Sequence, residues 1–131
     1  MPAVSDTSPI LGLSVIGHLD LLQEQFEEIY IPQAVLEELK IESNFRGVPA
    51  IQTALQDNWL QTREIQNKPL AQSLSLELNQ GESEAITLAI DLGFKIIVMD
   101  ERIGRERARN LGLKTIGGTW RVINSQKTWA D

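Results

Sequence analysis

Lys95-Ile96-Ile97-Val98-Met99 is an apolar run too short for a helix, preceded by Gly93-Phe94 and closed by Asp100. A strand that is apolar at consecutive positions presents hydrophobic side chains to both of its faces. It has to be covered on both, which points to a parallel sheet with helices above and below.

The remaining chain can supply those layers. Ala3-Val4-Ser5 is a short apolar run that ends at Asp6 as the later strand ends at Asp100. Ser8 as N-cap and Pro9 as the first helical residue predict a helix through Val15, stopped by Gly17. A second short helix is predicted over 19–25 and a strand over 28–31. Pro32 then opens a helix over 33–41, with Val35, Leu36 and Leu39 at helical spacing. Residues 43–47 form a loop, 48–56 a helix and 59–65 a half-buried strand. Asn67-Lys68-Pro69 turns the chain into a polar helix over 70–78, which Asn79-Gln80-Gly81 breaks.

The helix over 82–92 carries Ala85, Ile86, Ala89 and Ile90 on one face and ends at Gly93. After the strand 95–99 come a charged helix over 101–111, Gly112 and a short strand over 114–116. Gly117-Gly118 leads to a last helical stretch over 119–125. The order is β-α-α-β-α-α-β-α-α-β-α-β, without repeats, low-complexity tracts or linkers. A single domain over 1–131 is expected, an α/β fold of three α/β/α layers around a mostly parallel sheet.

Composition narrows the chemistry. There is no cysteine, so disulfides and thiolate-bound zinc are excluded, and His18 is the only histidine. No apolar run approaches the roughly 20 residues that span a bilayer, and no signal peptide is visible, so a cytoplasmic protein is expected. A site built on oxygen ligands is what remains. The net charge of −6 is unevenly spread: residues 1–94 hold 4 basic and 14 acidic side chains, residues 95–131 hold 8 basic and 4 acidic ones. A local basic stripe can bind phosphates on an otherwise acidic protein.

Ligands of open α/β sheets bind outside the carboxyl ends of the strands, where Asp6 and Asp100 are expected to meet. Two carboxylates in one crevice repel each other unless a cation or a proton intervenes. Glu37 and Glu38 follow the second strand, and adjacent helical residues point about 100° apart, so at most one faces that crevice. Glu82 has capping-box spacing to Asn79, which accounts for it structurally as well as a catalytic role does. Arg102, Arg105 and Arg109 share one helical face. They fit a phosphate backbone laid over the crevice. They equally fit an exposed helix held by the i,i+4 pairs Glu101–Arg105 and Arg102–Glu106.

Taken in order, four segments form a pattern: Asp6-Thr7-Ser8-Pro9, Ile31-Pro32 with Val35-Leu36-Glu37-Glu38-Leu39, Gly81-Glu82-Ser83-Glu84-Ala85-Ile86, and Val98-Met99-Asp100-Glu101-Arg102 with Leu111-Gly112-Leu113. This set resembles the PIN-domain family, and within it the Gly-Glu-x-Glu-Ala branch of VapBC-type toxins. The resemblance runs from Asp6 to about Gly118. It implies a magnesium- or manganese-dependent endoribonuclease acting on RNA, with a small antitoxin as partner and a homodimer as the assembly. Asp6, Glu38, Glu82 and Asp100 match the family's acids, with Glu84 an alternative to Glu82. Glu101 stands where that branch commonly has a second aspartate. The other reading is a catalytically silent module of the same fold that binds RNA or a protein. A haloacid-dehalogenase-like phosphotransferase would want aspartate where Ser8 stands, and a receiver domain would want an acidic pair after its first strand.

Overall fold

The computed structural model describes residues 1–117, so the helical stretch expected over 119–125 lies outside the described residues. The element order is the one expected: β1 (Ala3–Ser5), α1 (Thr7–Val15), α2 (Asp20–Phe26), β2 (Ile29–Pro32), α3 (Gln33–Leu39), α4 (Val48–Gln56), β3 (Leu60–Arg63), α5 (Lys68–Leu74), α6 (Gln80–Leu92), β4 (Ile96–Val98), α7 (Arg102–Asn110) and β5 (Lys114–Ile116). The five strands pair in the order β3-β2-β1-β4-β5, and every pairing is parallel.

Side chains alternate along each strand and so divide the interior into two cores. Ala3, Ile29, Ile31, Leu60 and Val98 face one side, against Ile10 and Leu13 of α1, Leu22 and Phe26 of α2, and Ile51 and Ala54 of α4. Val4, Ile97 and Met99 face the other, against Leu74 of α5, Ala85, Ile86, Leu88 and Ala89 of α6, and Ala108 of α7. β4 is apolar on both faces because each face meets a helical layer, as its sequence requires. Among the described residues no helix is long and apolar enough to cross a membrane.

Several helix ends differ from expectation, each for a local reason. α1 begins at Thr7, with Asp6 rather than Ser8 in the N-cap position. Pro9 is tolerated in the first turn because the first N–H groups of a helix have no intrahelical partner. α3 stops at Leu39, since Lys40 turns left-handed at φ 52°, ψ 52°. α5 begins at Lys68 because the Asn67 side chain caps it by accepting from Leu70 N–H at 3.1 Å. α6 begins at Gln80 under a complete capping box. The Asn79 side chain accepts from Glu82 N–H at 2.8 Å, and Glu82 Oε1 accepts from Asn79 N–H at 3.1 Å.

Candidate functional site

The strand order reverses its direction of growth between β1 and β4, and crevices form at the carboxyl ends of strands flanking such a point. Ser5 pairs with Val98, and the Asp6 N–H continues the ladder by donating to Val98 O at 2.9 Å. Asp6 and Asp100 therefore leave neighbouring strands at the same end of the sheet. Asp6 is buried, only 5% exposed, and Asp100 is half-buried.

α3 and α6 bring two more carboxylates to this end. Burial and the negative charges of Glu82, Glu38 and Asp100 push the Asp6 carboxyl up from 3.8 to about 7, against a lowering hydrogen bond from the Thr7 backbone. Glu82 is raised too, chiefly by burial and then by Glu101 and Glu38, while its bond from Asn79 N–H opposes the shift. Acids spread from residue 38 to residue 100 thus all bear on the buried Asp6 carboxyl. Of the adjacent pair on α3, Glu38 is the one that reaches the crevice: it accepts from Thr7 Oγ1 at 2.6 Å. Glu37 instead accepts from the Gln33 side chain at 3.3 Å on the exposed side of the helix.

The other acids go elsewhere. Glu84 accepts from Ala34 N–H at 3.3 Å and from Gln80 Nε2 at 3.0 Å, and lines a separate cleft of about 510 Å³ with Gln33, Glu64 and Lys68. Glu101 caps α7 by accepting from Gly104 N–H at 2.8 Å. The expected Glu101–Arg105 pair is therefore replaced by a cap, because a carboxylate at the N-cap position is nearer the free N–H groups of its own helix than the side chain one turn on. The Arg102–Glu106 pair does form, at 3.5 Å and well exposed. Arg105 lies half-buried with its guanidinium packed over the Cα of Gly117, just beyond β5. Arg109 donates to Thr115 Oγ1 at 3.2 Å. Arg109 thus leans on β5 and Arg105 on the residue that follows it, while Arg102 projects into solvent.

Thr7 was not singled out by its sequence, although it follows Asp6 directly and carries a hydroxyl at the start of a helix facing the crevice. Among the described residues no three His, Cys, Asp or Glu side chains stand in a cluster that could hold a metal ion. The acids share a crevice without closing into a ligand cage.

A family model described as a PIN domain matches residues 2–128 of this chain. A search of curated proteins finds no match. Among solved structures, PAE2754 from Pyrobaculum aerophilum superposes with a TM-score of 0.60 at 14% identity, over 88% of this chain and 92% of that one. A domain of a functionally unknown protein from Methanocaldococcus jannaschii gives 0.58, also at 14% identity, over 89% and 90%. Likenesses at such identity speak for the fold alone.

Proposed function

Because the chain belongs to the PIN-domain family, we propose that it is a metal-dependent endoribonuclease, the toxin of a VapBC-type toxin–antitoxin pair. The observation that carries this reading is the placement of Asp6 and Asp100 just beyond the carboxyl ends of the paired strands β1 and β4, with Glu38, Glu82 and Asp100 all raising the buried Asp6 carboxyl.

An all-carboxylate donor set suits a hard cation such as magnesium or manganese. Magnesium is commonly held by one or two carboxylates and retains several waters, so it does not require a closed cage of protein ligands. Asp6, Glu38, Glu82 and Asp100 are the residues that would hold it. When bound, such a cation polarises phosphoryl oxygens and makes water a stronger nucleophile at neutral pH. The chain's own part is to keep Asp6 in a low-dielectric pocket and to aim Glu38 at it. Glu82 fixes the start of α6 through the capping box and adds negative charge beside Asp6. Glu101 caps α7, and its charge raises Glu82 more than that of Glu38 does. An antitoxin and a second copy of the chain are the partners this reading expects. The exposed Val15, Ile16 and Leu76 offer apolar surface to such partners.

The test is incubation of the purified protein with a structured RNA in magnesium, in manganese and in a chelator. Cleavage with either cation and none with the chelator is the expected result. The absence of a three-acid cluster among the described residues and the use of Glu82 and Glu101 as helix caps favour a second reading, a silent RNA- or protein-binding module. That reading takes over if no RNA is cut in any condition.

Arg102, Arg105 and Arg109 are proposed to hold the phosphate backbone. Arg105→Glu should then weaken binding of unrelated RNAs alike. It should also reduce the slope of log affinity against log salt by about 1 for each phosphate that is no longer neutralised. Parallel salt titrations for wild type and variant would return α7 to a purely structural role.

A further inference from the structure

Glu38 is exposed on α3, yet its carboxylate lies between two other helices, bonded to one and beside the other. On one side the buried Thr7 of α1 donates its hydroxyl to Oε1 at 2.6 Å, the length of a charge-assisted O–H···O⁻ bond. On the other side lies Gly81, the second residue of α6. A Cβ at position 81 would stand 2.6 Å from Glu38 Oε1, 2.7 Å from Oε2 and 2.9 Å from the carboxyl carbon. The carboxylate therefore occupies the space that a side chain at position 81 would take. The free N–H groups in the first turn of a helix favour a negative charge there.

Glycine at 81 has no backbone explanation. Among the described residues the glycines at positive φ are Gly17, Gly93 and Gly112, and Gly81 is not one of them. Inside a helix glycine costs roughly 1 kcal/mol relative to alanine. What the missing side chain provides is room for the Glu38 carboxylate. Without Thr7 and Gly81 on either side, a long glutamate on an exposed face would be free to rotate away, and fixing it would cost rotamer entropy.

We propose that Thr7 and Gly81 are positioning residues, a two-sided clamp that aims the Glu38 carboxylate at Asp6. This rests on the cation-binding reading above. The clamp acts on Glu38 alone and touches neither cation nor RNA.

Manganese titration calorimetry on Thr7→Val, Thr7→Ser and Gly81→Ala tests the clamp, alongside thermal melts and a crystal structure of Gly81→Ala. Removing groups that orient a ligand typically weakens metal binding by about 10- to 100-fold, and that loss is expected for Thr7→Val and Gly81→Ala. Thr7→Ser keeps the hydroxyl and should restore most of the affinity. Gly81→Ala should melt no lower than wild type, because alanine favours the helix and the flexible Glu38 can swing aside. Its crystal structure should show Glu38 detached from Thr7. Undiminished manganese affinity in both folded variants overturns the proposal. So does a Gly81→Ala structure with Glu38 still bonded to Thr7. If wild type itself binds no manganese, the nuclease reading fails separately, and the position of Glu38 in that crystal structure still decides the clamp.

Discussion

Asp6→Asn is expected to cut RNA cleavage by about a thousandfold or more while the protein stays folded. Loss of one preorganised electrostatic group at a reacting phosphate or carbonyl commonly costs on the order of a hundred- to a thousandfold, and Asp6 would also be the principal holder of the cation. The substitution keeps the shape of the side chain and leaves the Asp6 N–H bond to Val98 O intact, so the β1–β4 ladder survives. It removes a carboxylate that Glu38, Glu82 and Asp100 all repel, from a position only 5% exposed. Catalytic loss without unfolding separates Asp6 from a residue that merely caps α1. A substitution there that harmed only a cap would lower stability by about 1 kcal/mol and leave chemistry alone.

The second large effect lies in how stability depends on pH. Burial and its neighbours hold the Asp6 carboxyl at about 7 in the fold, against 3.8 as its ordinary value. Between those values the folded protein binds a proton that the unfolded chain does not. The stabilisation is complete below about pH 4 and is lost as pH rises through 7. At 1.36 kcal/mol per pH unit of difference, Asp6 alone contributes a loss of roughly 4 kcal/mol across that window in cation-free buffer. Glu82 changes in the same direction and steepens the slope. Asp6→Asn should flatten most of it and melt about 5–10 °C above wild type at pH 8 without cation, after allowing for the buried amide. Manganese should narrow that gap, because binding to the folded state alone stabilises it. Melts at half-unit pH steps check both signs. A wild type whose stability rises steadily from pH 4 to 8 would remove Asp6 from the crevice's charge balance.

What the sequence made legible follows from what periodicity carries. Ile97 and Met99 alternate with Ile96 and Val98, so the two-faced burial of β4 and the need for helices on both sides were readable directly. The convergence of Asp6 and Asp100 followed from the rule for strand ends, because both residues leave neighbouring parallel strands at the same end. Helical spacing told which residues share a face but not what another helix brings to that face. The sequence left Glu82 and Glu84 open as alternatives. The fold turns Glu84 toward Ala34 N–H and a different cleft, and puts Glu82 within electrostatic reach of Asp6. Glu101 and Arg105 look like an ion pair by spacing until the free N–H of Gly104 claims the carboxylate. Thr7 and Gly81 were hidden for a further reason. Both fall in segments of the family pattern, but Thr7 lies 31 residues from Glu38 along the chain and Gly81 further still, so spacing does not tell that they meet it.

The most direct measurement of the central claim is the rate at which wild type and Asp6→Asn, purified in parallel, cut one structured RNA at pH 8 with manganese and with a chelator. The four-carboxylate site predicts cleavage by wild type with manganese, loss of that cleavage in the chelator, and a variant slower by about a thousandfold. Equal rates for the two proteins, or cleavage that ignores the chelator, would contradict it.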